Sequence, residues 1–182
     1  MRNIKSIIMF TSIMLFSSCA LPLFAQEDIF IKEYLERLEN SKKYLILVAE
    51  SMPEEKYDFR STPESMSFAE NLMHIGWALD LHSQSLMGGR EFRGQNDTEL
   101  KVDNKSKKEM IAKIDEIFDK TIKFISNFDR NKLGERLDYF GLNRTKRQVL
   151  LLLADHITHH RAQMLVYMRL NGLEPPRYVL YQ

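Results

Sequence analysis

An all-α four-helix bundle is the fold this sequence predicts, and three features predict it. Four long segments repeat apolar residues at helical spacing, three of them open on a Ser/Thr-x-x-Glu/Gln box, and no stretch alternates convincingly enough for a strand. A chain of 182 residues can bury a sizeable core as one domain and is too short for two comfortable ones.

Residues 1–25 stand apart from that domain. "MRNIKSIIMFTSIMLFSSCALPLFAQ" begins with Arg2 and Lys5, runs apolar from Ile7 to Phe16, and reaches small residues before Gln26. This is the order of a secretory signal peptide, and the apolar run is shorter than the roughly 20 residues a spanning helix needs. Cleavage after Ala25 and export to a periplasmic or extracellular space are expected, leaving residues 26–182 as the mature domain. Lipidation of Cys19 fits less well, because Phe16 stands where a leucine is usual and the following "ALPLFA" is apolar. Loss of Arg2 and Lys5, with no acidic residue, moves the formal charge from +1 to −1. A near-neutral chain without a basic block has no footprint for nucleic acid or an anionic membrane. Cys19 is the only cysteine, so the mature chain has neither disulfides nor a thiol nucleophile.

The first helix is expected from about Asp28 to Met52, where Ile31, Leu35, Leu38, Leu45 and Val48 form a stripe and Pro53 follows its end. A proline-containing linker across the bundle end leads to the second helix, capped by Ser67 and Glu70 and ended by Gly88-Gly89. Residues 90–104 are polar and turn-rich. The third helix is expected from about Lys105 to Phe128, with Ser106 and Glu109 as its box and Met110, Ile114, Ile117, Phe118, Ile122 and Ile125 as its face. Residues 129–144 read as another connection. Thr145 and Gln148 open the fourth helix, which Asn171-Gly172 and then "EPP" bring to an end. Its run "VLLLLA" is apolar all round, which suits a central helix or one shared with a second subunit.

That fourth helix carries three of the five histidines, in "LLADHITHHRAQ". His156 and His160 lie four apart and about 40° around the helix, on a stripe with Val149, Leu153, Met164 and Tyr167. Two imidazoles facing a core are costly unless their ring nitrogens are satisfied, and a divalent cation does so by taking one nitrogen from each. A pair is half a site. His74, flanked by Leu72, Met73, Ile75 and Trp77 in the second helix, is the best third ligand. Three imidazoles with open positions make a catalytic type of site; imidazole suits zinc, nickel, iron or copper, and the spacing does not choose among them. His159 is about 100° from His160 and is not expected to share the metal, although a His156/His159 pair is a weaker alternative. His82, eight residues after His74, reads as exposed.

Other residues have plainer readings beside functional ones. Glu70 reads first as a helix cap and second as a partner for the free nitrogen of His74. Trp77 and Tyr167 read as core aromatics that could line a pocket. Asp155 reads as solvated. Arg161 reads as an end-of-bundle ion pair, with a substrate anion as the other option. No general base can be named.

"DHITHHRAQMLVYMRLNGLEPP" resembles the ending of the DinB/YfiT-like bundle proteins, whose fourth helix carries H-x-x-H-H-R-G-Q and then G-x-x-P-P. "SFAENLMHIGWAL" is similar to their second helix. The resemblance implies an up-down-down-up bundle, often a homodimer, with a divalent metal held by three histidines. Carried over, the ligands fall at His74, His156 and His160, and Ala162 stands where the family usually has Gly. Relatives of this kind include transferases that activate a small thiol such as bacillithiol, mycothiol or glutathione. Those thiols are cytosolic and this chain reads as exported, so a metal-dependent hydrolase stands beside the thiol transferase. A non-catalytic bundle that binds metal or a partner is the alternative. The small-molecule substrate is not legible.

Overall fold

The computed structural model describes residues 29–91 and 100–178. The expected signal peptide and Cys19 lie outside the described residues. Helix α1 covers 29–51, α2 Phe68–Asp80, α3 Lys107–Ser126 and α4 Lys146–Leu170. All three capping boxes form, at Ser67/Glu70, Ser106/Glu109 and Thr145/Gln148. In each, the cap hydroxyl accepts from the third helical N–H and the Glu or Gln side chain accepts from the cap N–H. At the other end of α4, Gly172 adopts φ 73°. Its N–H reaches Arg169 O at 3.0 Å and that of Leu173 reaches Met168 O at 3.0 Å, so two terminal carbonyls are satisfied.

Contacts between helices fix their directions. Tyr34 donates to Leu150 O at 2.8 Å and the Arg161 guanidinium stands 5.3 Å from the Tyr44 ring, so α1 and α4 run parallel. Lys42 pairs with Asp119 and Asp115 of α3 at 2.6 and 2.8 Å, while Lys107 Nζ donates to Glu50 O and Met52 O, so α3 runs against α1. Asn71 meets His160 and Tyr167 donates to Met66 O, so α2 also runs against α4. The order is up-down-down-up, as the resemblance implies.

Helices α2 and α3 are therefore parallel neighbours. A Cβ added to Gly76 would lie 2.7 Å from Ile114 Cδ1, which measures how closely they approach. In the connection between them, the described residues Leu100 and Val102 pack against the core. Phe68, Leu72, Ile75, Leu79, Ile114, Phe118, Val149, Leu153 and Met164 are all fully buried at the centre.

Two local features depart from the sequence reading. Residues 129–144 contain a β-hairpin, with β1 Arg136–Tyr139 paired antiparallel to β2 Leu142–Thr145 in the register Arg136↔Thr145. The expectation of no strand is corrected. The strands are too short for visible alternation, and the two-residue turn is Phe140-Gly141, not the usual Asn-Gly, although both its residues take the required positive φ, 52° and 82°. The second helix also widens into a π-helical segment over Leu81–Met87. Side chains also bond carbonyls near its start: Ser83 Oγ donates to Leu79 O at 2.7 Å and His82 Nδ1 to Ala78 O at 2.7 Å.

A three-histidine candidate metal centre

α2 and α4 meet at the middle of the bundle, and there His74, His156 and His160 converge. Their ring centres are 4.9 Å (74–156), 4.6 Å (74–160) and 4.6 Å (156–160) apart. Each offers one nitrogen such that all three lie within 4.8 Å of one another. The spacing of four along α4 places two of them on one stripe, and the antiparallel contact supplies the third.

Hydrogen bonds assign the ring nitrogens. The Asn71 amide N–H2 donates to Ser67 O at 2.8 Å and to Met66 O at 3.2 Å, which turns its Oδ1 toward α4. That oxygen lies 2.8 Å from His160 Nδ1. An amide oxygen only accepts, so Nδ1 carries the proton and the Nε2 lone pair is left for another partner. His156 Nε2 is buried and has no hydrogen-bond partner. The His74 ring is stacked on Trp77 at 5.1 Å and 13°.

Burial disfavours the charged form of all three rings. Desolvation, reinforced by His74, pushes His156 down to about 4 and His160 down to about 3, while desolvation alone lowers His74. Neutral imidazoles are what a metal requires of histidine. The donor set and the unpartnered Nε2 of His156 fit a divalent cation, and no carboxylate or thiol joins the cluster among the described residues.

Other candidates take different roles. His159 is exposed, with Nε2 2.9 Å from the Gln163 amide, and stays out of the cluster as expected. His82 was expected to be exposed and is instead 2 % exposed. The π turn and the unforeseen hairpin account for this, because Tyr139 of β1 covers it. Its Nδ1–H donates to Ala78 O, so Nε2 accepts the Tyr139 hydroxyl at 2.9 Å. His82 is thus satisfied although its ring is 6.4 Å from that of His156. Glu70 serves as the cap and also pairs with Arg60 at 2.6 Å, which together hold its carboxyl below the usual range; it does not orient His74. Tyr167 is buried core. Asp155 stands 4.0 Å from Arg37, with most of its side chain in solvent. The expected ion pair of Arg161 is replaced by two tyrosine rings, at 5.3 and 5.6 Å. Asn71 was not anticipated. The signal was present in its place three residues before His74, on the face turned to α4.

Beside His74, a cavity of about 430 Å³ is lined by that ring, Met73, Trp77 and Leu100 together with Glu70, Lys101 and Asp103; His156 and His160 do not line it. Trp77 therefore lines a pocket as well as packing against the core.

The sequence profile described as DinB superfamily matches residues 37–164. An uncharacterized protein, YjoA of Bacillus subtilis (strain 168), is 26 % identical over 128 residues, covering 69 % of this chain and 80 % of the relative. The crystal structure of a DinB-like protein from Bacillus cereus ATCC 10987 superposes with a TM-score of 0.64 at 23 % identity, over 81 % of this chain and 93 % of that one. The crystal structure of B. subtilis YjoA, also titled DinB-like, gives a TM-score of 0.65 at 22 % identity, over 82 % and 98 %.

Proposed function

The chain belongs to the DinB superfamily, and on that premise we propose that it is a metalloenzyme whose divalent cation is held by His74, His156 and His160. Zinc or nickel is the first ion to test. The observation that carries the reading is the buried, unpartnered Nε2 of His156 inside a cluster of neutral imidazoles. A bound cation would supply Lewis acidity and lower the pKa of a water or thiol beside it. The chain's own residues then have distinct tasks. Asn71 holds the His160 tautomer, Trp77 fixes the plane of the His74 ring, and the cavity walled by Met73 and Leu100 admits a small molecule and limits water. The reaction class we propose is group transfer to a small thiol, or hydrolysis.

One observation favours a non-catalytic alternative. Glu70, the carboxylate one turn from His74, is committed to its cap and to Arg60, which leaves Asp103 and Lys101 as the other charged groups of the cavity. Assays of thiol addition to electrophiles, run on metal-loaded protein, separate the readings, since a binding protein would turn over nothing.

Metal analysis of tag-free protein tests the site itself. One equivalent of metal in the parent chain and little in His156→Ala is the expected result; equal metal in both overturns the assignment. We propose export as well, on the charged, apolar and small-residue order of residues 1–25. A homodimer is the proposed assembly, supported by Leu151, Val166 and Leu170 standing 43 %, 50 % and 59 % exposed on α4.

A further inference from the structure

A second concavity lies around α4 from the histidines, between that helix, α1 and residues 173–178, and encloses about 750 Å³. Three arginines line it: Arg161, Arg169 and Arg177. Arg161 is the unusual one. Only 5 % of it is exposed, yet no carboxylate among the described residues pairs with it. Its attractive partners are the Tyr44 ring at 5.3 Å and the Tyr178 ring at 5.6 Å. Arg37 adds repulsion. The one carboxylate in the lining, Glu174, is exposed and makes no ion pair with Arg161.

Burying a guanidinium costs solvation that cation–π contacts repay only in part, so an anion that reaches it gains strongly. The guanidinium fork matches the two oxygens of a carboxylate or phosphate. Leu165, Leu173, Pro175 and Pro176 give the same pocket an apolar floor. Tyr44 donates to Pro176 O at 3.0 Å and its ring packs edge-on to Tyr178 at 5.1 Å, which holds the floor in place.

We propose that this pocket binds a small organic anion, with its oxyanion head on Arg161, Arg169 and Arg177 at the rim, and its apolar body over Leu165, Leu173 and Pro175. The site is separate from the histidine cluster and does not depend on the proposed metal.

Calorimetric titration of the full chain with benzoate tests it, with benzamide as the uncharged counterpart and inorganic phosphate as the head alone, each with and without EDTA. Benzoate is expected to saturate one site, to resist EDTA and to weaken with added salt, while benzamide does not bind. Arg161→Lys keeps the charge and loses the fork, and is expected to weaken benzoate about tenfold. Arg169→Gln, at an exposed position, is expected to weaken it about threefold without affecting the fold. Absence of saturable benzoate binding, or binding that neither variant alters, overturns the proposal. Phosphate binding as tightly as benzoate overturns the role given to the apolar floor.

Discussion

Asn71 Oδ1 and His160 Nδ1 face each other at 2.8 Å across the contact between α2 and α4. The bond joins the two helices that contribute the histidines and decides which nitrogen of His160 is free. Removing such an outer partner lowers metal affinity by about 10- to 100-fold. Asn71→Ala is therefore expected to weaken zinc in a competitive chelator titration by a factor in that range. Asn71→Asp retains an accepting oxygen and is expected to keep most of the affinity. Equal affinity for zinc in parent and Asn71→Ala would remove the role given to this residue.

His156 brings a buried nitrogen with no protein partner. In chelated protein, replacing it with a leucine removes an uncompensated polar atom, so the thermal midpoint of His156→Leu should equal or exceed that of the parent. Zinc reverses the order. At about 100-fold excess over its Kd, a ligand stabilises the parent by about 2.7 kcal/mol, and the variant should show no such gain. A zinc-induced shift of the same size in both proteins contradicts the ligand role.

Acid should weaken the metal-free fold before any carboxylate titrates. Burial is the leading cause holding His74, His82, His156 and His160 below the ordinary value of 6.5, His156 at about 4 and His160 at about 3. The unfolded chain takes up protons near 6.5 that the folded chain refuses. Stability from this source is complete above about pH 6.5 and drains away as the pH falls toward 4. The urea midpoint of chelated protein is expected to be level between about pH 7 and 8 and clearly lower at about pH 5. A midpoint unchanged at the lower pH would mean the imidazoles are well solvated.

Gly76 marks the close approach of the parallel pair. A methyl group there meets Ile114 Cδ1 at 2.7 Å and Ile117 Cδ1 at 3.3 Å. Overpacking of about 1–3 kcal/mol opposes a helix-propensity gain of about 1 kcal/mol. Gly76→Ala is expected to cost about 1 kcal/mol in urea unfolding, and Gly76→Val several times more. An alanine variant more stable than the parent would show that the α2–α3 contact has room to spare.

Much of this was legible from residue order. Three capping boxes and a terminal glycine named the helix ends because each satisfies backbone groups locally, through neighbours three to five residues away. The same period brought His156 and His160 to one face, and the apolar flanks of His74 turned it toward them. What escaped depended on tertiary partners. His82 is buried because a hairpin 57 residues away supplies Tyr139. Arg161 sits between rings from α1 and the C-terminal segment, a pairing with no trace in its own helix. Asn71 had only its place three residues before His74 to mark it, and its partner His160 lies 89 residues away.

The parallel α2 and α3 are joined by a crossover, whose described residues Leu100, Lys101, Val102 and Asp103 line a cavity with His74. The roof of the cavity is thus built from a crossover, while the imidazoles are anchored in helices. Changes in the length or composition of that crossover would alter which molecules gain entry without disturbing the anchored histidines. On the proposed reading, which molecules enter and how tightly the metal is held are set by different parts of the chain.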